Sequence, residues 1–150
     1  MKRKNSLLLV LFCVVSSVFS QGNYTARVLL IPLDDRPPCL QFPVRMGLVG
    51  DVSIVSPPRE MLGRFLNYGK SDEIIRWIDA QKIESFDAAI ISMDMLAYGG
   101  LVASRVYETP FEEALKRAEI VKAIRRKSPK LKIYGSSVIM RLAPTADGKN

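Results

Sequence analysis

Four short apolar-rich stretches run along this chain, and segments with a helical apolar period separate them. The first, Arg27-Val28-Leu29-Leu30-Ile31-Pro32-Leu33, stops abruptly in Asp34-Asp35-Arg36-Pro37-Pro38. A parallel strand buried on both faces reads as a continuous apolar run. Two adjacent carboxylates and an arginine do not fit inside such a strand, so they belong at its carboxyl end. Val52 to Val55 makes a short second strand, ended by Ser56-Pro57-Pro58. The third strand spans Asp87 to Met93 and the fourth Leu131 to Ile139.

The clearest helix lies between the third and fourth strands. Thr109 can cap it, Pro110 suits the first helical position, and Glu112 completes a capping-box spacing. Phe111, Ala114, Leu115, Ala118, Val121 and Ile124 then recur at helical spacing. Lys122, Arg125, Arg126 and Lys127 favour the carboxyl-terminal end of the helix dipole, and Ser128-Pro129 ends the helix. A second helix is predicted from Asp72 to Gln81, capped by Ser71, with Ile74, Ile75 and Ile78 on one face and Trp77 beside them. Shorter helical turns are predicted over Phe42 to Leu48 and Glu60 to Leu66.

Strands separated by helix-length connections predict parallel pairing, because right-handed crossovers need connections of that length. The fold class is therefore α/β. The pattern fits the amino-terminal part of a β/α barrel-like domain, with a doubly wound open sheet as the alternative. The barrel is favoured because polar clusters follow several successive strands, whereas a doubly wound sheet gathers its site at one switch point. No glycine-rich dinucleotide fingerprint follows the first strand, so a nicotinamide or flavin site is not expected.

The first twenty residues stand apart from the fold. Lys2-Arg3-Lys4, the apolar run Leu7 to Phe19 and the Val18-Phe19-Ser20 cleavage signal read as a secretory signal peptide. The apolar run is shorter than the roughly 20 residues that span a bilayer, and no small-residue lipobox precedes Cys13. The mature chain, 21–150, is expected to be exported to the periplasm or beyond, with no stable membrane anchor after cleavage. It closes on a loop-like stretch after the fourth strand, which reads as the amino-terminal portion of one longer, truncated α/β domain.

Removing the leader changes the charge balance. Three of the 22 basic residues lie in it, leaving 19 against 15 acidic residues, a net charge of +4. The remaining cations are spread along predicted helices without a basic stripe or aromatic platforms, so no nucleic-acid partner is expected. Cys39 is the only cysteine left, which excludes an intrachain disulfide within these residues. Histidine is absent. That excludes a Ser-His-Asp triad, a Cys-His pair and a histidine metal site here. Catalysis within these residues must use carboxylates, tyrosines, lysines, arginines or backbone donors. No cofactor is expected; an oxygen-ligand site for Mg²⁺ or Ca²⁺ stays open, though no EF-hand spacing is present.

Two constellations carry the candidate chemistry. In Asp34-Asp35-Arg36, mutual repulsion and the arginine can drive the two carboxylates to different pKa values and so to acid and base roles. The structural alternative has one aspartate capping the turn while Arg36 pairs with the other. In the segment Ser92 to Arg105, Asp94 leaves the third strand and Tyr98 offers a ring and a hydroxyl. Gly99-Gly100 allow close backbone approach, and Arg105 can clamp an anionic or polyhydroxylic ligand. The structural alternative is an ordinary turn with Asp94 bound to Arg105. Arg141 follows the fourth strand as Arg36 follows the first, and Pro57-Pro58-Arg59-Glu60 follows the second, so four strand ends would present charge to one rim. Met61, Met93, Met95 and Met140 read as core filler.

Taken together, the segments Ile31 to Pro37 (IPLDDRP), Pro57 to Gly63 (PPREMLG), Ser92 to Arg105 (SMDMLAYGGLVASR) and Ile139 to Thr145 (IMRLAPT) resemble the amino-terminal part of the bacterial domain of unknown function 4127 family. The resemblance runs through essentially the whole mature chain. It implies a longer parent protein and assigns no activity. Two functional expectations follow from the residues. The first is an exported, carbohydrate-active, glycoside hydrolase-like enzyme. In it Asp34, Asp35 and Asp94 supply acid, base or nucleophile, while Arg36, Tyr98, Gly99, Gly100, Arg105 and Arg141 bind substrate. The second is a non-catalytic periplasmic or cell-envelope module that holds a small-molecule or glycan ligand on the same rim.

Overall fold

The structure is a computed structural model that describes residues 24–139 except 65 and 107. The predicted signal peptide, Met140 and Arg141 lie outside the described residues. Four parallel strands, β1 (Ala26–Ile31), β2 (Val52–Val55), β3 (Ala88–Ser92) and β4 (Lys132–Ser136), form one sheet in the order β2-β1-β3-β4. The α/β class and the parallel pairing are as expected, but the strand order corrects the preference for a barrel. A barrel places each strand beside its successor, whereas here the connection from β2 crosses β1 to reach β3. The chain moves outward from β1 first in one direction and then in the other, which is the doubly wound arrangement.

Among the described residues five α-helices accompany the strands: α1 (Gln41–Val49), α2 (Ser71–Asp79), α3 (Met93–Tyr98), α4 (Phe111–Ala118) and α5 (Ile120–Lys127). Strand register sorts the sheet residues into two faces. Leu29, Ile31, Ala89, Ile91 and Ile133 share one face and pack with Ile74 and Ile78 of α2 and Ile120 and Ile124 of α5. That is the core. Val28, Leu30, Ile54, Ile90 and Tyr134 share the other face. Right-handed crossovers in opposite directions bring α1 to this second face, where Gly47 abuts the Ile54 side chain. The face is thinly covered, for Ile90 is 43 % exposed and Tyr134 58 %.

Three local differences from the sequence reading position the site. First, the predicted loop after β3 begins with a helical turn, α3. Ser92 caps it by accepting from the Met95 N–H at 3.3 Å, and Gly99, in the left-handed region at φ +92°, ends it. Second, Ser71 does not cap α2. It is the first helical residue, buried, and its hydroxyl donates to the Met95 carbonyl at 2.9 Å, tying α2 to α3. Third, the long helix before β4 breaks at Glu119 into α4 and α5, and Pro110 rather than Thr109 occupies the position before the first turn, without a side-chain cap. Arg117 on α4 binds Asp72 at 2.8 Å, Glu113 at 2.6 Å and the Ala97 carbonyl at 3.2 Å, so α2, α3 and α4 are held as a unit. The turn expected over Glu60 to Leu66 is shorter, a single 3-10 turn at Arg59–Met61.

Candidate functional site

Because β1 and β3 are adjacent, the loops leaving their carboxyl ends meet. Asp34 lies in a turn that its own side chain stabilises: one carboxylate oxygen accepts from the Arg36 backbone N–H at 3.1 Å, the other from Arg36 Nε at 2.8 Å. The Arg36 Nη2 also approaches that second oxygen, at 2.6 Å. This is the structural alternative for the Asp34-Arg36 pair, and it fixes a guanidinium, 55 % exposed at the side chain, at the rim. Burial raises the Asp34 pKa, but hydrogen bonds from the Arg36 side chain, the Cys39 thiol and the Arg36 backbone outweigh it, and the pKa lies below the ordinary value of 3.8. The Cys39 thiol is pushed up by burial, by its hydrogen bond to Asp34 and by the Asp34 charge, so it stays protonated as a donor.

A folded-state pKa below the unfolded one means that the Asp34 contribution to stability is present above about pH 3.8 and is lost as pH falls through the folded value. Arg36→Ala should therefore cost about 1 kcal/mol at pH 7, less than a fully buried charged hydrogen bond because the guanidinium is half in solvent. Urea unfolding at pH 7 and again well below pH 3.8 checks this, with the difference from wild type vanishing at the acid end.

Asp35 turns the other way. It is 4 % exposed and bonded to Arg59, with Nε at 3.2 Å and Nη2 at 3.0 Å from one oxygen, while its backbone N–H donates to the Gly63 carbonyl at 3.2 Å. The loop after β2 is thereby fastened to the end of β1. Asp94, in the first turn of α3 and 4 % exposed, accepts from the Val138 N–H beyond β4 at 3.0 Å. It is not bonded to Arg105 among the described residues.

A cavity of about 210 Å³ opens between these loops, lined by Asp34 and Arg36 after β1, by Gly63, Asn67 and Tyr68 after β2, and by the run from Gly99 to Ala103 with Arg105 after β3. Its floor rests on glycine backbone. The Gly69 N–H donates to the Gly99 carbonyl at 2.7 Å, and a β-carbon on Gly63 would come within 2.8 Å of that carbonyl oxygen. Gly100, at φ +116°, lies against the Leu33 carbonyl at the end of β1. Arg105 Nε is buried in this wall without a hydrogen-bond partner among the described residues.

A family model described as "Protein of unknown function (DUF4127)" matches residues 28–150. The chain belongs to the DUF4127 family. The match covers β1 from Val28, the other three strands and every loop that lines the cavity. Comparison with curated proteins and with solved structures found no match.

In this DUF4127 chain, five of the residues singled out in the sequence, Asp34, Arg36, Gly99, Gly100 and Arg105, share the cavity wall. Asp35 and Asp94 lie behind it in bonds of their own. Tyr98 is turned away, lining grooves beside α2 and α4 with Arg76 and Arg117 on one side and Phe111 and Leu115 on the other. The aromatic residue that does line the cavity is Tyr68, 40 % exposed, which sequence reasoning missed. Its neighbourhood offered one signal: the glycines at 63 and 69 that bracket it have the close-approach character also suspected of Gly99 and Gly100. Arg141 lies outside the described residues.

Proposed function

We propose that this DUF4127 chain is an exported carbohydrate-active protein whose rim at the ends of β1 and β3 holds one sugar unit. The observation that carries the reading is the position of the cavity. Ligands of open α/β sheets bind outside the carboxyl ends of the strands, where the strand order reverses, and the reversal in this sheet falls between β1 and β3. The wall chemistry suits a polyhydroxylated ligand. An ionised aspartate and an arginine locked in one pair offer fixed acceptors and donors, and Tyr68 adds a ring against which a sugar face can lie. The volume of about 210 Å³ is below the roughly 300–1,000 Å³ of sites for drug-sized ligands, which suits a single ring.

The carboxylates favour binding over cleavage. Glycosyl hydrolysis by two carboxyl groups needs one of them protonated. Asp34 is held ionised, and Asp35 is committed to Arg59. Hydrolysis would then fall to Asp94, which lies behind the wall and accepts from the Val138 N–H. Calorimetric titration with a panel of neutral and acidic monosaccharides, with the products followed by chromatography, tests both. The binding reading expects saturable affinity that Arg36→Ala weakens at least about tenfold, with the sugar recovered intact. Affinity indifferent to Arg36, or no affinity for any sugar, would remove it.

A further inference from the structure

We infer that the ligand of this cavity carries a negative charge, so that the carbohydrate reading, on which this inference rests, narrows to acidic sugars of the hexuronate kind. A guanidinium is protonated at any accessible pH and carries its donors in a rigid plane, so a buried N–H without an acceptor is a desolvated donor left unsatisfied. Nε of Arg105 is in that condition, and it is the one buried side-chain nitrogen or oxygen without a partner among the described residues.

Three other arginines are matched. Arg36 is bound to Asp34, Arg59 to Asp35, and Arg117 to Asp72 and Glu113. Within the cavity wall itself the charged residues are Asp34, Arg36 and Arg105. The first two neutralise each other, and one positive charge remains. An incoming carboxylate would supply the negative charge the wall lacks. Its two oxygens match the fork of a guanidinium, which a single hydroxyl does not. The remaining hydroxyls of a uronate ring would fall to the Asp34-Arg36 pair and Tyr68. The wall's carboxylate, Asp34, is held ionised by Arg36, so the wall serves recognition.

The test uses matched pairs differing only at C6: glucose and glucuronate, galactose and galacturonate, mannose and mannuronate, titrated into wild type and Arg105→Met by calorimetry. In at least one pair the uronate is expected to bind about tenfold or more tightly than the hexose, and raising the salt concentration should shrink the gap. Arg105→Met should reduce the preference to less than about threefold, with the uronate losing far more affinity than the neutral hexose. Arg105→Lys, which restores the charge without the fork, should recover part of the preference and separates charge recognition from a loss of fold. Hexose and uronate binding equally to wild type would overturn the inference and leave the carbohydrate reading standing. So would a preference that survives Arg105→Met. Binding of none of the six would overturn both.

Discussion

Gly99→Ala is expected to lower the stability of the domain by about 2–5 kcal/mol, a large share of the roughly 5–15 kcal/mol that a domain has. Two independent costs add. Alanine in the left-handed region, where Gly99 sits at φ +92°, costs about 1–2 kcal/mol. The new methyl would also meet the Gly69 backbone oxygen at 2.5 Å and its nitrogen at 3.0 Å, and backbone cannot swing aside as a flexible side chain can. Overpacking of that kind costs about 1–3 kcal/mol more. The damage falls at the base of the cavity, so loss of stability and loss of ligand affinity should appear together. Gly135→Ala is the contrast, because a β-carbon there meets nothing within 4 Å. That substitution should be neutral or slightly stabilising through the unfolded chain. Urea denaturation of the two variants beside wild type decides it. Similar midpoints for both would mean that the glycine contact between the loops is not as described.

Ile78→Ala should cost a comparable amount, about 2–5 kcal/mol, by a different route. Ile78 is fully buried on the inner face of α2, in the cluster that joins Ile74, Ile124 and Leu29 across the helix-to-sheet interface. Removing its outer carbons forfeits their transfer free energy and leaves a cavity that α2 cannot close freely. The helix is tied to α3 through Ser71 and to α4 through Arg117 and Asp72. The midpoint of urea unfolding should fall with no change in its slope, since the surface exposed on unfolding is nearly the same. A shift below about 1 kcal/mol would contradict the placement of α2 against the core.

Much of this architecture was legible from local pattern, and what was not follows from what pattern encodes. The strands were visible because Leu29-Leu30-Ile31 and Ala89-Ile90-Ile91 are apolar on successive positions, as central parallel strands are. Strand order was not, because a helix-length crossover looks the same whether it leads to the next position or past β1. The broken helix was hidden because the apolar period of Ala114, Ala118 and Val121 runs on through Glu119 without a glycine or proline to mark the break. A six-residue helix such as α3 is too short for a period to register, although Ser92 and Gly99 mark its two ends. The same limit separates Tyr98 from Tyr68. Which tyrosine faces the cavity depends on the contact between Gly69 and Gly99, thirty positions apart, and only the folded chain brings those glycines together. Arg36 was found because it directly follows a buried strand, and Arg105 because it closes the glycine-containing segment after β3; that one is matched and the other is not became visible only in three dimensions.

The decisive measurement is amide mapping of the isotopically labelled protein by NMR as the best-binding sugar of the panel is added. The largest shifts should fall in three separate segments at once: Arg36 to Cys39 after β1, Gly63 and Asn67 to Gly69 after β2, and Gly99 to Arg105 after β3. Shifts confined to the amino-terminal edge of the sheet around Arg27 and Asp87, or to the thinly covered face around Ile90 and Tyr134, would contradict a binding site at the point where the strand order reverses.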